Sequence, residues 1–299
     1  MCAQECKQHD QLDLASLVFK KTALDPHDEQ TISVLQDACV APNPSLVRVL
    51  LEEGADPNQG LHYAIQEFDD YDQLASFRKV VEVLLQHLAD PTDPLLLFHT
   101  IKGNFYDDSD EIRDTILSLL LEHKADPNVT YTNGDTPLVQ AAYANETGMV
   151  TCLLEHGADP NQARRKDGYT PLLCASMGPA VCEIVHQLLR YKADVQQADE
   201  SGKVTPLVIA SADGCTDVVR LLLGSGACCK KQFNKFSNPL FYASQNGHVE
   251  VVQMLLKADV PNQQRLSKFA EYDYESEDEA AEENGHTLVV SLLRKYGNY

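Results

Sequence analysis

TPLVQAAYANETGMVTCLLEHGADPN, residues 136–161, is the clearest copy of a unit that recurs along the chain. Its last five letters, GADPN, stand again at 54–58, and LLLEHKADPN at 119–128 is a looser copy of its end. Within the unit a glycine follows the opening threonine by 21 positions, and Thr205 and Gly226 repeat that spacing. A short unit that recurs in this way predicts a repeat fold, in which each unit packs on its neighbours.

Each part of the unit predicts a local structure. Threonine before proline, as in Thr136-Pro137, is typical of a helix start, because the hydroxyl caps free N–H groups and proline fits the first helical position. The apolar spacing at 218–223 predicts a second helix, and Gly226 predicts its end, since glycine adopts the left-handed conformation at little cost. Turn residues such as Asn133-Gly134-Asp135 then predict a hairpin-like finger that leads to the next unit.

The unit resembles the ankyrin repeat, a turn and two antiparallel helices with a TPLHxA signature and about 33 residues. The signature and its variants stand at Thr136-Pro137-Leu138, Thr170-Pro171-Leu172, Thr205-Pro206-Leu207, Asn238-Pro239-Leu240 and Leu61-His62-Tyr63-Ala64. Fainter units start near Ser33 and Asp93, and residues 285–297 match a second helix. The resemblance implies an all-α ankyrin-repeat solenoid of helix-turn-helix units with hairpin-like fingers, about seven repeats plus a partial eighth.

Three segments are distinguished along the chain. Residues 1–27 hold no repeat signature, and their apolar pattern predicts a capping helix, which the end repeats of such stacks need. Residues 28–262 carry the repeats, with long insertions between helices near 66–79 and 102–114. Residues 263–299 combine an acidic segment with the partial last repeat. Because a repeat stack grows by adding neighbours, we expect a single domain.

Composition narrows the classes of function. The formal net charge of −21 disfavours general binding to nucleic acid or anionic lipid, which depends on Lys and Arg neutralising phosphate. Without an apolar run of about 18 residues or a signal-type N-terminus, we expect a cytoplasmic protein that does not contact a membrane. Nine irregularly spaced cysteines, among them Cys152, Cys174 and Cys182 on the apolar pattern, predict core thiols rather than disulfides. We expect a monomer.

The sequence carries no motif of a known catalytic site. It has no glycine-rich phosphate loop, HExxH, paired CxxC or GxSxG, so we expect no enzyme, no cofactor and no metal. Cys2, Cys6 and His9 have loose metal-ligand spacing, but no fourth ligand follows nearby. Cys228-Cys229, next to two lysines, is a candidate reactive pair, and an enzyme with a Cys-based site is the least favoured alternative.

The resemblance implies a non-catalytic scaffold that binds a protein partner on the concave surface formed by fingers and first helices. Residues 164–235 contain ten Lys/Arg and seven Asp/Glu, although the whole chain is acidic. We therefore expect a basic strip with interleaved aromatic rings on adjacent fingers, and a partner with an acidic or phosphorylated segment. The predicted partner-binding residues are Arg164, Arg165, Lys166, Tyr169, Lys203, Lys230, Lys231, Phe233, Lys235 and Phe236. Exposed turns that merely carry charge are the alternative.

The two insertions and an acidic run leave other interpretations open. The insertions are either tolerated loop growth or a secondary partner contact through Phe68, Tyr71, Phe105 and Tyr106. Residues 271–283 carry eight carboxylates, which is typical of a solvated loop or of an acidic first helix in the last unit. The run could also fold back on the basic strip. It resembles the C-terminal signals of bacterial effectors delivered by type IV secretion, so the alternative function is an effector that targets a host protein in the host cytoplasm.

Two further sets of residues carry specific expectations. Asn58, Asn128 and Asn161 resemble the asparagines that are hydroxylated in animal ankyrin repeats, and a hairpin-stabilising role is the alternative. Leu88, Lys124 and Lys192 replace the glycine that ends a second helix. If they adopt the left-handed conformation, each loses about 1–2 kcal/mol relative to glycine.

Overall fold

The helices account for most of the chain that the computed structural model describes, residues 29–67, 73–102, 110–177, 182–228, 238–259 and 277–297. Over these ranges there are sixteen helices and no strand, which confirms the predicted all-α fold class. The capping helix expected in residues 1–27 lies outside the described residues.

The chain divides into two compact units, residues 1–131 and 132–299. Within the described part of unit 1 there are three helix pairs: α1 (Glu29–Val40) with α2 (Pro44–Glu52), α3 (Pro57–Glu67) with α4 (Leu74–Gln86), and α5 (Pro94–Lys102) with α6 (Asp110–Glu122). The first helices α1, α3 and α5 pack side by side, and so do the second helices α2, α4 and α6. Unit 1 therefore has two layers of helices.

Unit 2 repeats this arrangement. Its described helix pairs are α7 (Pro137–Tyr143) with α8 (Thr147–Glu155), α9 (Pro171–Ala175) with α10 (Cys182–Arg190), α11 (Pro206–Ala212) with α12 (Thr216–Gly224), α13 (Pro239–Gln245) with α14 (Val249–Asp259), and α15 (Glu277–Glu283) with α16 (Thr287–Gly297). Residues 277–283 of the acidic run thus form the first helix of an eighth pair, and α15 packs on α13 and α16.

The Thr-Pro motif starts the first helices of unit 2 as predicted. The hydroxyl groups of Thr136, Thr170 and Thr205 accept hydrogen bonds from the N–H three residues later, at 3.2, 3.2 and 3.4 Å. Asn238 takes the same position before α13 and accepts from Leu240 N–H at 2.9 Å. Because the three threonines are buried, their hydroxyls satisfy N–H groups that water does not reach.

One burial pattern recurs in the first helices. The buried triads are Leu35-Ala38-Cys39, Leu61-Ala64-Ile65, Leu97-Thr100-Ile101, Leu138-Ala141-Ala142, Leu172-Ala175-Ser176 and Leu207-Ala210-Ser211. Each triad has the spacing i, i+3, i+4 of one helix face. Positions i+2 and i+5 lie on the opposite face, and we call the residues at these positions the first-helix row.

A left-handed residue, glycine or not, follows six of the eight described second helices. The φ angles are 100° at Gly54, 88° at Gly157, 89° at Gly226, 68° at Leu88, 75° at Lys124 and 67° at Lys192. The expected conformation of the three substituted stops is confirmed. Leu88 is also 87% exposed, so its side chain gains little from burial.

Replacing Lys192 with glycine should raise the free energy of unfolding by about 0.5–1 kcal/mol, because relief of backbone strain exceeds the entropy cost of glycine. Gly157→Ala is the matched control, since a Cβ there meets no atom within 4 Å and only the positive φ of 88° opposes it. Urea unfolding of both variants should show opposite signs. If the Lys192→Gly protein is no more stable than the wild type, the claim that the backbone at Lys192 is strained is contradicted.

Histidines connect successive repeats at the turns between the two helices. His248 Nε2 donates to Ala212 O at 2.9 Å, and His286 Nε2 donates to Gln245 O at 3.0 Å. Each imidazole lies over the glycine of the preceding turn: a Cβ on Gly214 or Gly247 would lie 2.5 Å from the ring Nδ1. His248 and His286 are therefore structural, as their Gly-His context predicts.

Candidate functional site

Three fingers of unit 2 are described: finger A (132–135), finger B (163–169) and finger C (198–204). Arg165 N–H donates to Gly134 O at 2.9 Å, and Glu200 N–H donates to Asp167 O at 2.9 Å, so that each finger is hydrogen bonded to the next. Fingers B and C are closed by N–H donation from Arg164 to Tyr169 O and from Asp199 to Val204 O, both at 3.0 Å. The expectation that neighbouring fingers lie side by side is confirmed for these three.

Arg164 organises finger B from within. Its Nε and Nη2 donate to the two oxygens of Asp167 at 2.6 and 2.7 Å, and its guanidinium lies 4.9 Å from the centroid of the Tyr169 ring. Its Nη1 is 4.0 Å from Asp135 Oδ1, and 22% of its side chain is exposed. The hydrogen bond to Asp167 raises the pKa of Arg164 above its usual value.

These contacts give Arg164 a role inside the finger, and its predicted role in partner binding stays a prediction. A bidentate guanidinium–carboxylate pair has its charge compensated within the protein. Arg164 therefore does not offer a free cation to a partner, and its replacement would disturb the finger as well as the surface charge. Arg165 and Lys166 of finger B and Lys203 of finger C are exposed and keep the predicted position for contact.

Two aspartates hold the fingers closed. Burial raises the pKa of Asp199, but hydrogen bonds from Val204 N–H, the Ser201 hydroxyl and Lys203 N–H outweigh burial and leave the pKa below its usual value. Burial likewise raises the pKa of Asp167, and its bonds from Arg164 and from Tyr169 N–H again lower it overall. Both carboxylates therefore accept hydrogen bonds from residues of their own fingers.

Acid should open these fingers. Because the pKa of Asp199 is lower in the folded state, its contribution to stability is complete above the unfolded value of about 3.9 and disappears as pH falls through the folded value. Asp199→Asn should therefore destabilise the protein at neutral pH and flatten the pH dependence of unfolding below about pH 4. Asp213→Asn, which alters an exposed aspartate of the same unit, is the control. Parallel pH profiles for the two variants would contradict the assignment.

The charges of the three described fingers balance. Arg164, Arg165, Lys166 and Lys203 are matched by Asp135, Asp167, Asp199 and Glu200. The cation excess predicted for the strip thus depends on residues that the structure does not describe, Lys230, Lys231 and Lys235, with the rings Phe233 and Phe236 in the same stretch of sequence. The secondary candidates Phe68, Tyr71, Phe105 and Tyr106 also lie outside the described ranges.

Sequence reasoning placed partner binding on the fingers and first helices but named no residue of a first helix of unit 2. The first-helix row of unit 2 consists of Gln140, Tyr143, Cys174, Met177, Ile209 and Ala212, continued in α13 by Tyr242 and Gln245. Cys174 and Ile209 are buried, so the other members form the accessible part of the row. None of these side chains is charged, and Tyr143 is 68% exposed. The signal was present in the sequence, because the row stands at fixed distances from the leucine of each Thr-Pro-Leu motif.

Possible metal ligands, thiols and membrane-spanning helices are the other features of the described residues that bear on function. Nowhere in these residues do three His, Cys, Asp or Glu side chains group as metal ligands would. Burial raises the pKa of the Cys39 and Cys174 thiols to about 12, and none of the six described cysteines forms a disulfide. No helix in these ranges is both long and apolar enough to cross a bilayer. Cys2, Cys6, His9 and Cys229 lie outside them.

Comparison with known proteins identifies the repeat. A family model for ankyrin repeats (3 copies) matches residues 110–199 and 178–265, together just over half of the chain. The chain belongs to the ankyrin-repeat family. Its ankyrin repeats are similar to those of Neurogenic locus notch homolog protein 1 from Xenopus tropicalis, 39% identical over 120 residues, and from Danio rerio, 34% identical over 149 residues.

Those matches cover 40% and 46% of this chain but only 5% and 6% of the Notch proteins. Neurogenic locus notch homolog protein 2 from Homo sapiens is 36% identical over 116 residues, 39% of this chain and 5% of that protein. The chain therefore spans about a twentieth of the length of these relatives, and the likeness concerns ankyrin repeats.

Two of the motif asparagines connect neighbouring ankyrin repeats. Asn58 Oδ1 accepts from Asp90 N–H at 2.6 Å, and Asn161 Oδ1 accepts from Asp194 N–H at 2.6 Å. In the fold, these two side chains thus stabilise the turns in which they lie, which is the alternative to hydroxylation given above. Hydroxylation of Asn58, Asn128 or Asn161 stays a prediction.

Proposed function

We propose that this protein is a non-catalytic scaffold that binds one protein partner through fingers B and C and the first-helix row of unit 2. Ankyrin repeats are protein-interaction modules, and the chain belongs to that family. The observation that carries the proposal is the uncharged row with its exposed Tyr143, next to fingers that present Arg165, Lys166 and Lys203. Uncharged surface with an exposed aromatic ring, edged by charge, is typical of binding sites.

The chemistry of this surface favours a partner segment with an apolar residue and flanking carboxylates or phosphates. Within the fingers Arg164 is compensated by Asp167, and Asp199 accepts three hydrogen bonds inside finger C. The exposed cations of these fingers are Arg165, Lys166 and Lys203, and Glu200 is an exposed carboxylate beside them. The cations would attract an acidic segment and set its position, while the row supplies apolar contact. Lys230, Lys231 and Lys235 would extend the cationic side.

A random peptide library selected on the full chain tests this proposal. We expect the selected peptides to be enriched in Asp or Glu near an aromatic or aliphatic residue. Arg165→Glu/Lys166→Glu should weaken their binding about tenfold or more, chiefly through a slower association rate at low salt. Arg190→Glu/Lys257→Glu makes the same change of charge on second helices of unit 2 and should have little effect. Equal loss in both variants, or selection of basic peptides by unit 2, would contradict the proposal.

We also propose that the scaffold acts as a monomer in a reducing compartment such as the cytoplasm. The support is the burial of thiols such as Cys39 and Cys174 in the core. The alternative of a secreted bacterial effector stays a prediction. The sequence feature that suggests this alternative is the acidic run at 271–283, and residues 277–283 of that run form helix α15. A secretion assay with the last thirty residues deleted tests delivery separately from binding.

A further inference from the structure

Unit 1 presents a first-helix row of a different kind. The triads of α1, α3 and α5 have the same spacing, so Asp37, Tyr63 and His99 occupy equivalent positions on neighbouring helices. Gln66 and Lys102 follow three residues after Tyr63 and His99, and Glu67 ends α3. The row of unit 2 is uncharged at every described position, whereas that of unit 1 carries the carboxylate of Asp37, the ring of Tyr63, the imidazole of His99 and the ammonium of Lys102.

Two hydrogen bonds join α3 to α5 across this surface. His62 Nε2 donates to Asp93 Oδ2 at 3.0 Å, and Gln66 Nε2 donates to His99 Nε2 at 3.0 Å. Burial, and then the neighbouring His62, lower the pKa of His99 against the opposing effect of Asp93. His99 is therefore neutral near pH 7, as an acceptor of the Gln66 hydrogen bond must be. These contacts fix the two helices relative to each other, so the surface is preformed.

Phe98 already accepts a cation on its ring. It packs edge-to-face against Tyr131 and His99, with ring centroids 5.1 and 5.6 Å apart. The Lys102 ammonium lies 5.1 Å from the Phe98 centroid. Lys102 thus already provides an ammonium group against this half-buried ring.

The charged side chains on these helices are mainly acidic. Among the residues of α1, α3 and α5, Lys102 is the one lysine or arginine. Asp37 and Glu67 are exposed. Asp93 lies just before α5, where Oδ1 accepts from Leu95 N–H at 2.9 Å and Oδ2 accepts from His62. An acidic partner would meet like charge here, at a cost in free energy. Cationic side chains would pair with the carboxylates and lie on the aromatic rings.

We propose that the surface formed by Asp37, Tyr63, Glu67, Asp93 and Phe98 binds a basic segment of a second protein, one that presents Lys or Arg side chains next to apolar residues. A basic partner segment is inferred from charge complementarity and from the Lys102–Phe98 contact. In the complex, an ammonium group of the partner would take the position that the Lys102 ammonium has in the free protein. The protein would then be an adaptor with two sites of opposite preference, basic segments on unit 1 and acidic segments on unit 2. This site does not depend on the function proposed for unit 2.

The probe is a short fluorescent peptide of alternating Lys or Arg and Leu, compared with an uncharged twin in which Gln replaces every basic residue, so that the twin is not a ligand of the acidic-segment site proposed for unit 2. Anisotropy is measured with the full chain at low and physiological salt. The test variant is Asp37→Lys/Glu67→Lys. The matched control is Glu52→Lys/Glu53→Lys, the same change in charge at exposed residues at the end of α2, on the second-helix layer. Thermal unfolding of each variant checks that the fold is retained.

We expect the basic peptide to bind more tightly than its twin, with affinity reduced about tenfold by Asp37→Lys/Glu67→Lys and less than about twofold by the control. Tyr63→Ala, which leaves the charge unchanged, should also weaken binding. Equal losses in the two charge variants would show attraction to a generally acidic protein and would overturn the proposal. So would no loss in the test variant, or no preference for the basic peptide.

Discussion

Gly168→Ala should destabilise unit 2 by about 3 kcal/mol, one of the two largest single effects we expect. The φ of Gly168 is +73°, where an L-residue loses about 1–2 kcal/mol. A Cβ there would also lie 2.5 Å from the backbone nitrogen of Glu200, the atom that donates to Asp167 O. Because backbone cannot move aside cheaply, fingers B and C must separate, and the lost hydrogen bond adds about 1 kcal/mol or more.

Gly202→Ala separates the effect of backbone strain from the effect of the steric clash between fingers B and C. Gly202 has a similar φ, +68°, but a Cβ there meets nothing within 4 Å in the described residues, so we expect a loss of only about 1 kcal/mol. Urea unfolding measures both changes, and hydrogen exchange of the Glu200 amide should accelerate in Gly168→Ala alone. Equal destabilisation by the two substitutions would show that the contact between fingers B and C contributes nothing to the free energy of unfolding.

Gly247→Ala should cost about 2–3 kcal/mol in the same unit. Its φ is +74°, and a Cβ would lie 2.5 Å from His286 Nδ1 and 2.6 Å from Cε1, within the ring itself. The imidazole must move, and its hydrogen bond to Gln245 O at 3.0 Å is then lost. The backbone strain and the displaced histidine contribute separately.

A double-mutant cycle tests that account. In Gly247→Ala/His286→Ala the ring is gone, so the alanine causes no clash, and the combined loss should be smaller than the sum of the single losses by about 1 kcal/mol or more. Gly285→Ala is the control for conformation alone, since its φ is +76° and a Cβ there meets nothing within 4 Å. Additive effects would contradict the proposed contact between glycine and imidazole.

The local elements were predictable because their causes are local. A threonine hydroxyl reaches the N–H three residues later, so Thr136, Thr170 and Thr205 could be assigned as caps from the sequence. The helix ends at Leu88 and Lys192 were predictable from their place in the repeat, since the helix stop needs a left-handed residue whatever its side chain.

The site was less predictable because its decisive contacts depend on how the chain turns. Arg164, Arg165 and Lys166 form one basic run, and only the closed finger shows that the first of them is paired with Asp167 while the other two are exposed. The bond between Gln66 and His99 joins residues 33 positions apart on adjacent helices. Tyr143 carries no motif, and its exposure follows from the packing of α7.

The most direct test of the proposed function is site-specific photo-crosslinking of a selected acidic peptide to the full chain. A benzophenone amino acid replaces Tyr143 in the first-helix row in one protein, and His186, exposed on second helix α10, in the other. If fingers B and C and the first-helix row of unit 2 form the partner site, Tyr143 crosslinks, His186 does not, and Arg165→Glu/Lys166→Glu abolishes the signal. Crosslinking from His186 but not from Tyr143 would place the partner on the second helices and contradict the account.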